Sequence, residues 1–217
     1  MNDVIKVLII DDHALVREAL AKRFAADPKF EVVGAAEEAE AGVTLAVQMR
    51  PDIVLTDIDM PGVSAFDAVR RIGAMVPDVQ VIFLSAYTHD HFIEQALSVG
   101  ALGYVTKRES LDAVVTAAGE VARGGTYFSP EVQARIVVDA SGLHLEGGKT
   151  RATRLSPREL EVLGYLAHGH SKKAIADLMH VSIKTVDTHT LRLMGKLDIH
   201  DRVELARFAI REGMAKA

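Results

Sequence analysis

Residues 5–12 read Ile5-Lys6-Val7-Leu8-Ile9-Ile10-Asp11-Asp12, a short apolar run that stops on two adjacent aspartates. A run of that length and aliphatic character reads as a strand buried on both faces, the kind a parallel sheet holds between layers of helix. Three later runs stop in the same way. Ile53–Thr56 is followed by Asp57, Val81–Leu84 by Ser85, and Gly103–Thr106 by Lys107. In a parallel sheet all four endings lie along one edge, and that edge is where open α/β sheets bind ligands.

The alternation extends outward from these four runs. A further strand reads at 31–35, and amphipathic stretches read as helices at 15–26, 39–50, 65–75, 91–99 and 111–122. Five β-α repeats predict a five-stranded parallel sheet, doubly wound, over residues 1–123.

The four strand ends carry compatible chemistry. Asp11, Asp12 and Asp57 crowded together repel one another, at a cost of several kcal/mol unless a cation or proton settles the charge. Magnesium is the hard ion that suits such a set, because it takes oxygen ligands and keeps several waters for substrate phosphate to displace. Lys107 then acts as a point charge for a phosphoryl group, and the Ser85 hydroxyl donates to one of its oxygens. A carboxylate, a metal, a lysine and a hydroxyl together suit phosphoryl transfer onto an aspartate. Each residue alone has a plainer reading: an N-cap for the Asp pair, turn chemistry for Asp57 ahead of Met60-Pro61-Gly62, a solvated charge for Lys107. Their coincidence at four strand ends outweighs those readings.

Composition bounds the remaining classes. The chain has 217 residues, 49% hydrophobic and 25% charged, as soluble globular proteins do. No apolar run approaches the roughly 20 residues that span a bilayer, and Met1-Asn2-Asp3 does not open a secretory signal, so a cytoplasmic location is expected. Without cysteine there is neither a disulfide nor a thiolate zinc site. The nine histidines are scattered without a His-x-x-x-His pair and read as surface or capping residues. The formal charge of −5 conceals an asymmetry: residues 1–124 carry 11 Lys+Arg against 19 Asp+Glu, and residues 150–217 carry 12 against 8. An acidic front and a basic rear imply different partners.

Residues 124–150 read as a linker. Ser141-Gly142 and Gly147-Gly148 are flexible dipeptides, and one short helix is expected near 130–139, with Ser129 as N-cap and Pro130 at its first position. Residues 151–217 are helical throughout. Ser156-Pro157-Arg158-Glu159 forms a capping box ahead of Leu160, Leu163 and Leu166. A second helix, 172–179, turns Ala174, Ile175 and Leu178 inward. Met179-His180-Val181 and a new cap, Ser182, then lead into a third helix, 183–197, with Val186, Leu193 and Leu197 in register for the core. That spacing is a helix-turn-helix. Asp201 starts a last helix, with Leu205, Phe208 and Ala209 available for packing. Lys172, Lys173, Lys184, Thr185, Asp187, Thr188, Leu191, Arg192 and Lys196 are the candidate contacts to phosphates and base edges of double-stranded DNA.

Both halves resemble the NarL/FixJ family of response regulators, a CheY-like, flavodoxin-like receiver followed by a LuxR-type helix-turn-helix. In the first half the resemblance rests on Ile9-Ile10-Asp11-Asp12-His13, Asp57-Ile58-Asp59-Met60-Pro61-Gly62, Leu84-Ser85-Ala86 and Gly103-Tyr104-Val105-Thr106-Lys107. In the second half it rests on 155–163, Lys173-Ala174-Ile175-Ala176, 182–189 and Lys196-Leu197. It implies that Asp57 is the phospho-acceptor and Asp12 a direct magnesium ligand. Asp11 would act through water, and Asp59 would lend its backbone carbonyl to the metal. Ser85 and Lys107 would hold the phosphoryl oxygens, and Tyr104 would be the aromatic switch. Implied partners are a sensor histidine kinase, DNA, a second copy of the chain on phosphorylation, and RNA polymerase. No enzymatic activity is implied beyond phosphorylation and dephosphorylation of Asp57.

Three departures stand out. Asp187 and Leu191 occupy positions where relatives often carry basic or polar groove readers, so base specificity does not transfer. His180 stands at a turn position that is often glycine. Two other readings stay open: a helical output that works through protein contacts, and a phosphoaspartyl hydrolase with Asp59 as its second aspartate. The sequence shows no substrate-capping insertion for the latter.

Overall fold

The apolar runs form strands as their patterning requires. In this computed structural model, which describes residues 4–88, 90–139, 142–145, 155–212 and 214, β1 (Ile5–Ile10), β2 (Phe30–Ala36), β3 (Ile53–Asp57), β4 (Gln80–Ser85) and β5 (Gly103–Thr106) make the expected parallel sheet. A two-residue sixth strand, β6 (Tyr127–Phe128), extends it beyond β5. The order is β2-β1-β3-β4-β5-β6. Chain direction across the sheet therefore reverses at β1, with β2 on one side and β3 on the other. Such a reversal opens a crevice beyond the carboxyl ends of the two central strands. Ile10 pairs with Thr56, so the next residues, Asp11 and Asp57, emerge side by side at that crevice.

Helices α1 (Ala14–Ala25), α2 (Ala39–Met49), α3 (Ala65–Met75), α4 (Asp90–Ser98) and α5 (Leu111–Val121) connect the strands. Val7, Ile9, Leu55, Ile82, Leu84 and Val105 pack with Leu20 and Phe24 of α1 and with Val114, Ala117, Ala118 and Val121 of α5. On the other face Phe66 of α3 tilts against Phe83 of β4, ring centroids 5.0 Å apart. Gly42 of α2 lies so close to Ile10 that a Cβ would run into that side chain, which sets how near α2 approaches β1. Each fully buried aliphatic or aromatic side chain contributes roughly 1.5–3 kcal/mol. The sheet can therefore bear the cost of a charged pocket at its edge.

The segment expected as a linker is more structured than its composition suggests. Its helix, α6, covers only Pro130–Gln133. The rest of the stretch, Ile136–Asp139, is strand β7, paired antiparallel with β8 (Gly142–Leu145). Ile136-Val137-Val138 is a β-branched run, which favours a strand over continuation of a helix. Ser129 makes no side-chain cap for α6; it is buried, and its Oγ accepts the Thr106 N–H at 2.9 Å, fastening the segment to β5. The sheet unit accordingly continues past residue 123, and the four C-terminal helices form a second compact unit. Gly147-Gly148 and the end of the expected linker lie outside the described residues.

The second unit contains α7 (Pro157–Ala167), α8 (Lys172–Leu178), α9 (Ile183–Leu197) and α10 (Arg202–Arg211). Its core joins Val162, Leu163 and Leu166 to Ile175, Ala176, Met179, Val186, Leu193, Leu197, Leu205 and Phe208. Each helix has a side-chain cap: Ser156 for α7, Ser171 for α8, Ser182 for α9, and Asp201, which accepts from Val203 and Glu204, for α10. Leu178 departs from expectation. It is exposed, because the Ile175-Met179 edge of α8 faces the core instead. In the turn between α8 and α9, His180 has φ +53°, and the Val181 N–H closes back on the Ala176 carbonyl at 3.0 Å. This left-handed closure usually takes glycine, and histidine adopts it at some cost in strain.

Candidate functional site

The crevice gathers the polar strand ends into one pocket. Asp11 and Asp57 are buried, and Lys107 extends from the end of β5 to put its Nζ 2.8 Å from Asp11 Oδ2 and 2.6 Å from Asp57 Oδ2. The lysine backbone N–H bonds the Ser85 carbonyl at 2.8 Å, locking β5 to β4 where the side chain departs. Asp57 Oδ1 accepts from the backbone N–H of Ile58 at 2.7 Å and of Asp59 at 3.3 Å, which fixes its rotamer and leaves Oδ2 facing the pocket. Asp11, Asp12, His13 and Asp57 each offer one ligand atom, all within 4.8 Å of one another.

Electrostatics follow from this crowding. Burial pushes the Asp57 carboxyl above the usual aspartate range; Lys107 and the Asp59 N–H pull it down, the charge of Asp11 adds to the push, and the net direction is up. For Lys107, burial alone would lower the pKa, but its bonds to Asp11 and Asp57 outweigh burial and raise it. The lysine is thus a firm cation, shared between two carboxylates.

Around this centre the remaining predicted residues divide. Ser85 is buried and its Oγ accepts the Tyr87 N–H at 2.9 Å. Tyr104 is also buried, and its hydroxyl donates to the Tyr87 carbonyl at 2.8 Å; burial holds its phenol well above the usual range. Asp59 is exposed, and its carboxylate accepts the Tyr87 hydroxyl at 3.0 Å rather than joining the carboxylate cluster. Burial first, then the charge and bond of Asp59, push the Tyr87 phenol up to about 12. Tyr87 therefore ties Ser85, Tyr104 and Asp59 together, a role not read from the sequence. His13 is the other residue missed. Its Nδ1 lies 2.7 Å from Asp12 and 3.2 Å from Asp11, and only its place next to the Asp pair could have signalled this.

In the helical unit, Lys184, Thr188, Leu191 and Arg192 share the exposed face of α9, opposite Val186, Leu193 and Leu197, and Lys173 is exposed on α8. Thr185 bonds the capping hydroxyl of Ser182 at 2.8 Å. Two of the expected contact lysines are already engaged. Lys172 pairs with Asp187 at 2.5 Å, and Lys196 reaches the buried Glu159 at 2.6 Å. Glu159 also accepts the Ser156 N–H at 2.7 Å, so Lys196 pairs with the carboxylate of a capping box and acts as a strut within the fold.

Residues 7–118 match the response regulator receiver domain, and residues 153–209 match the bacterial regulatory proteins of the luxR family. The chain is a response regulator of the NarL/FixJ family. Full-length relatives agree: it is 34% identical to the transcriptional regulatory protein DegU of Brevibacillus brevis, covering 98% of this chain and 95% of that protein. Identity is likewise 34% to the response regulator GacA of Pseudomonas aeruginosa, covering 99% of each. Among solved structures, RcsB of Salmonella typhimurium shares the fold with a TM-score of 0.71 at 21% identity, covering 97% of this chain and 98% of that one. A second RcsB structure, bound to a promoter with the phosphomimetic BeF3−, gives a TM-score of 0.67 at 24% identity and covers 95% and 98%.

The receiver pocket fits the magnesium ion that this family employs. Its donors are carboxylate oxygens, the class Mg2+ prefers, and Asp11 Oδ2 is buried with only the shared Lys107 ammonium to face it. One cation among three carboxylates leaves negative charge that a divalent ion would settle. Among the described residues no helix is long and apolar enough to cross a membrane.

Proposed function

We propose that this response regulator accepts a phosphoryl group on Asp57 from the phospho-histidine of a sensor kinase, and that this controls dimerisation and sequence-specific DNA binding by its helical unit. The observation that carries the reading is the sharing of Lys107 between Asp11 and Asp57 at the switch point of the sheet. A buried carboxylate with one oxygen fixed by backbone N–H groups and the other presented to the pocket is a positioned nucleophile.

In the transfer, Asp57 Oδ2 forms a bond to phosphorus as the P–N bond of the phospho-histidine breaks, and the imidazole leaves with the electron pair and takes up a proton. Asp12 and Asp57, with Asp11 acting through water and the Asp59 carbonyl, would hold Mg2+, which offsets charge on the phosphoryl oxygens. Lys107 moves its bond from Asp57 Oδ2 to a phosphoryl oxygen, a charge-assisted contact at the same strand end. Phosphorylation adds about one negative charge and new acceptors. Ser85 turns from the Tyr87 N–H toward them, releasing the Tyr87 and Tyr104 network and biasing α4, β5 and α5 toward a second arrangement.

The exposed α9 face, with Lys184, Thr188, Leu191 and Arg192, enters the major groove, and Lys172, Lys173, Thr185 and Asp187 flank it. One such module buries about 600–1,000 Å² on DNA, so a dimer on two half-sites is the binding unit. RNA polymerase is the partner through which a bound dimer would act on transcription, and the reading carries with it a cytoplasmic location.

The test uses the full chain, a small acyl phosphate and Mg2+. Wild type incorporates one phosphoryl group per chain and binds duplex DNA more tightly afterwards. Asp57→Asn incorporates none and shows no gain. Labelling of Asp57→Asn at unchanged stoichiometry would refute the assignment.

A further inference from the structure

The two loops that carry the phosphoryl-sensing residues are held by a segment from beyond the receiver match, which ends at residue 118. Ser129 accepts the Thr106 N–H on its Oγ at 2.9 Å and gives its own N–H to the Tyr104 carbonyl at 3.0 Å, so the segment starts against β5, next to Lys107. Val132 of α6 is fully buried, which seats the helix there. At the far end Arg135 donates through Nη2 to the Thr88 carbonyl, in the loop after β4. Its Nε is bound to the Glu131 carbonyl at 3.1 Å, so the planar guanidinium is oriented by the preceding turn before it reaches that loop.

Three successive backbone groups of the loop are thereby engaged: the Tyr87 N–H by Ser85 Oγ at 2.9 Å, the Tyr87 carbonyl by the Tyr104 hydroxyl at 2.8 Å, and the Thr88 carbonyl by Arg135. The first is given up when Ser85 turns to a phosphoryl oxygen. A backbone N–H that loses its partner in a half-buried loop costs free energy unless the loop moves to pair it elsewhere. Arg135 opposes that movement, because it fixes the next carbonyl along. Ile136, the residue after it, opens β7, so displacing the guanidinium pulls on the β7–β8 pair.

We propose that Arg135 is a positioning residue for phosphorylation of Asp57: it acts through Thr88 and Tyr87 to hold Ser85 in its resting arrangement, and its displacement carries the phosphorylated state into β7. The proposal rests on Asp57 being the phospho-acceptor. A charge-assisted hydrogen bond made in only one of two loop arrangements biases their ratio by about tenfold or more, and removing it shifts the population toward the arrangement in which Ser85 is available.

The test compares the full chain with Arg135→Met, which keeps an apolar stem and loses every donor, and with Arg135→Lys, which keeps a cationic donor. With acetyl phosphate and Mg2+, Arg135→Met should raise the maximal rate of Asp57 phosphorylation about three- to tenfold and leave the KM for acetyl phosphate unchanged. Arg135→Lys should return most of the way to wild type. Hydrogen exchange supplies a second readout: phosphorylation of wild type should speed exchange of the β7 amides, and Arg135→Met should show that faster exchange before phosphorylation. An unchanged or slower rate in Arg135→Met, or β7 exchange that phosphorylation leaves untouched, overturns the proposal with the Asp57 reading intact. If wild type takes up no phosphoryl group, that reading falls and the proposal with it.

Discussion

Two buried carboxylates in this chain each hold a lysine Nζ at 2.6 Å, Asp57 with Lys107 in the receiver and Glu159 with Lys196 in the helical unit, yet their acidities move in opposite directions. Burial raises both. For Asp57 the rise prevails, because its lysine is shared with Asp11, whose own charge adds to the push. For Glu159 burial is outweighed by the undivided bond to Lys196 and by the N–H and hydroxyl of Ser156, so its pKa is lowered. The same pair of groups is therefore a strut in one unit and an unmet charge in the other. Lys107 itself is raised although its partner Asp57 is also raised; a cation between two anions gains what each anion must divide.

The largest effect should come from removing the shared cation. Lys107→Ala leaves the pocket's carboxylates without their lysine, and breaking a buried pair from one side costs about 3–5 kcal/mol. Its thermal midpoint at pH 7 should fall well below wild type and recover on adding Mg2+. An Asp57→Asn change in the same chain should restore part of the loss. Lys196→Ala, whose side chain is 41% exposed, should cost less than half as much. Equal losses from the two alanine substitutions would erase the distinction between strut and shared cation.

Next in size is Glu159→Gln, which removes the ion pair with Lys196 but keeps a side-chain oxygen for the Ser156 N–H, a loss of about 1.5–3 kcal/mol from a charge-assisted hydrogen bond. Hydrogen exchange should place the loss in α7 and α9 and leave the sheet protected. The lowered pKa means that the stabilisation is complete above the usual glutamate range and is lost as pH falls through the depressed value. The gap between wild type and Glu159→Gln should therefore close on acidification.

Asp57→Asn should do the opposite and raise stability at neutral pH, because burial holds the Asp57 carboxyl above its usual range despite Lys107. A carboxylate whose folded pKa is raised favours the native state at low pH, where it is protonated, and that advantage is lost as pH rises through the folded value. At neutral pH the asparagine variant should melt above wild type in the absence of divalent ions, and the gap should shrink toward pH 4. A variant that melts below wild type at pH 7 would mean that Lys107 fully offsets the charge, and the pocket would not be short of a cation.

The contrast also explains what could be read from the sequence. Asp11, Asp57, Ser85 and Lys107 each end an apolar run, and strand ends of a parallel sheet must meet at one edge, so their convergence follows from period and direction alone. Asp59 and His13 escape that logic because both lie outside strands, where rotamer and local turn decide which group faces the pocket. Lys196 and Lys172 were hidden for a different reason. A basic residue on a helix has the same sequence signature whether it faces solvent or reaches a carboxylate on a neighbouring helix. The β7–β8 hairpin was masked by its glycine-flanked context, although Ile136-Val137-Val138 carried the β-branched signal.

The smallest predicted effect tests the distributed face of α9 against the concentrated receiver pocket. Lys172 and Asp187 are both about half exposed, so their pair contributes about 0–1 kcal/mol to folding, and Asp187→Asn should leave the melting temperature almost unchanged. On DNA the same change removes a negative charge from the groove flank and frees Lys172 for phosphate. A unit charge pair at about 4 Å in water is worth about 1 kcal/mol, which sets the expected gain in affinity at about three- to fivefold in low salt. The gain should fade as salt is raised, and the slope of log affinity against log salt should steepen by about one. Loss of affinity confined to certain sequences would instead mean that Asp187 accepts a hydrogen bond from cytosine N4, and that this face, like the receiver pocket, depends on one well-placed carboxylate.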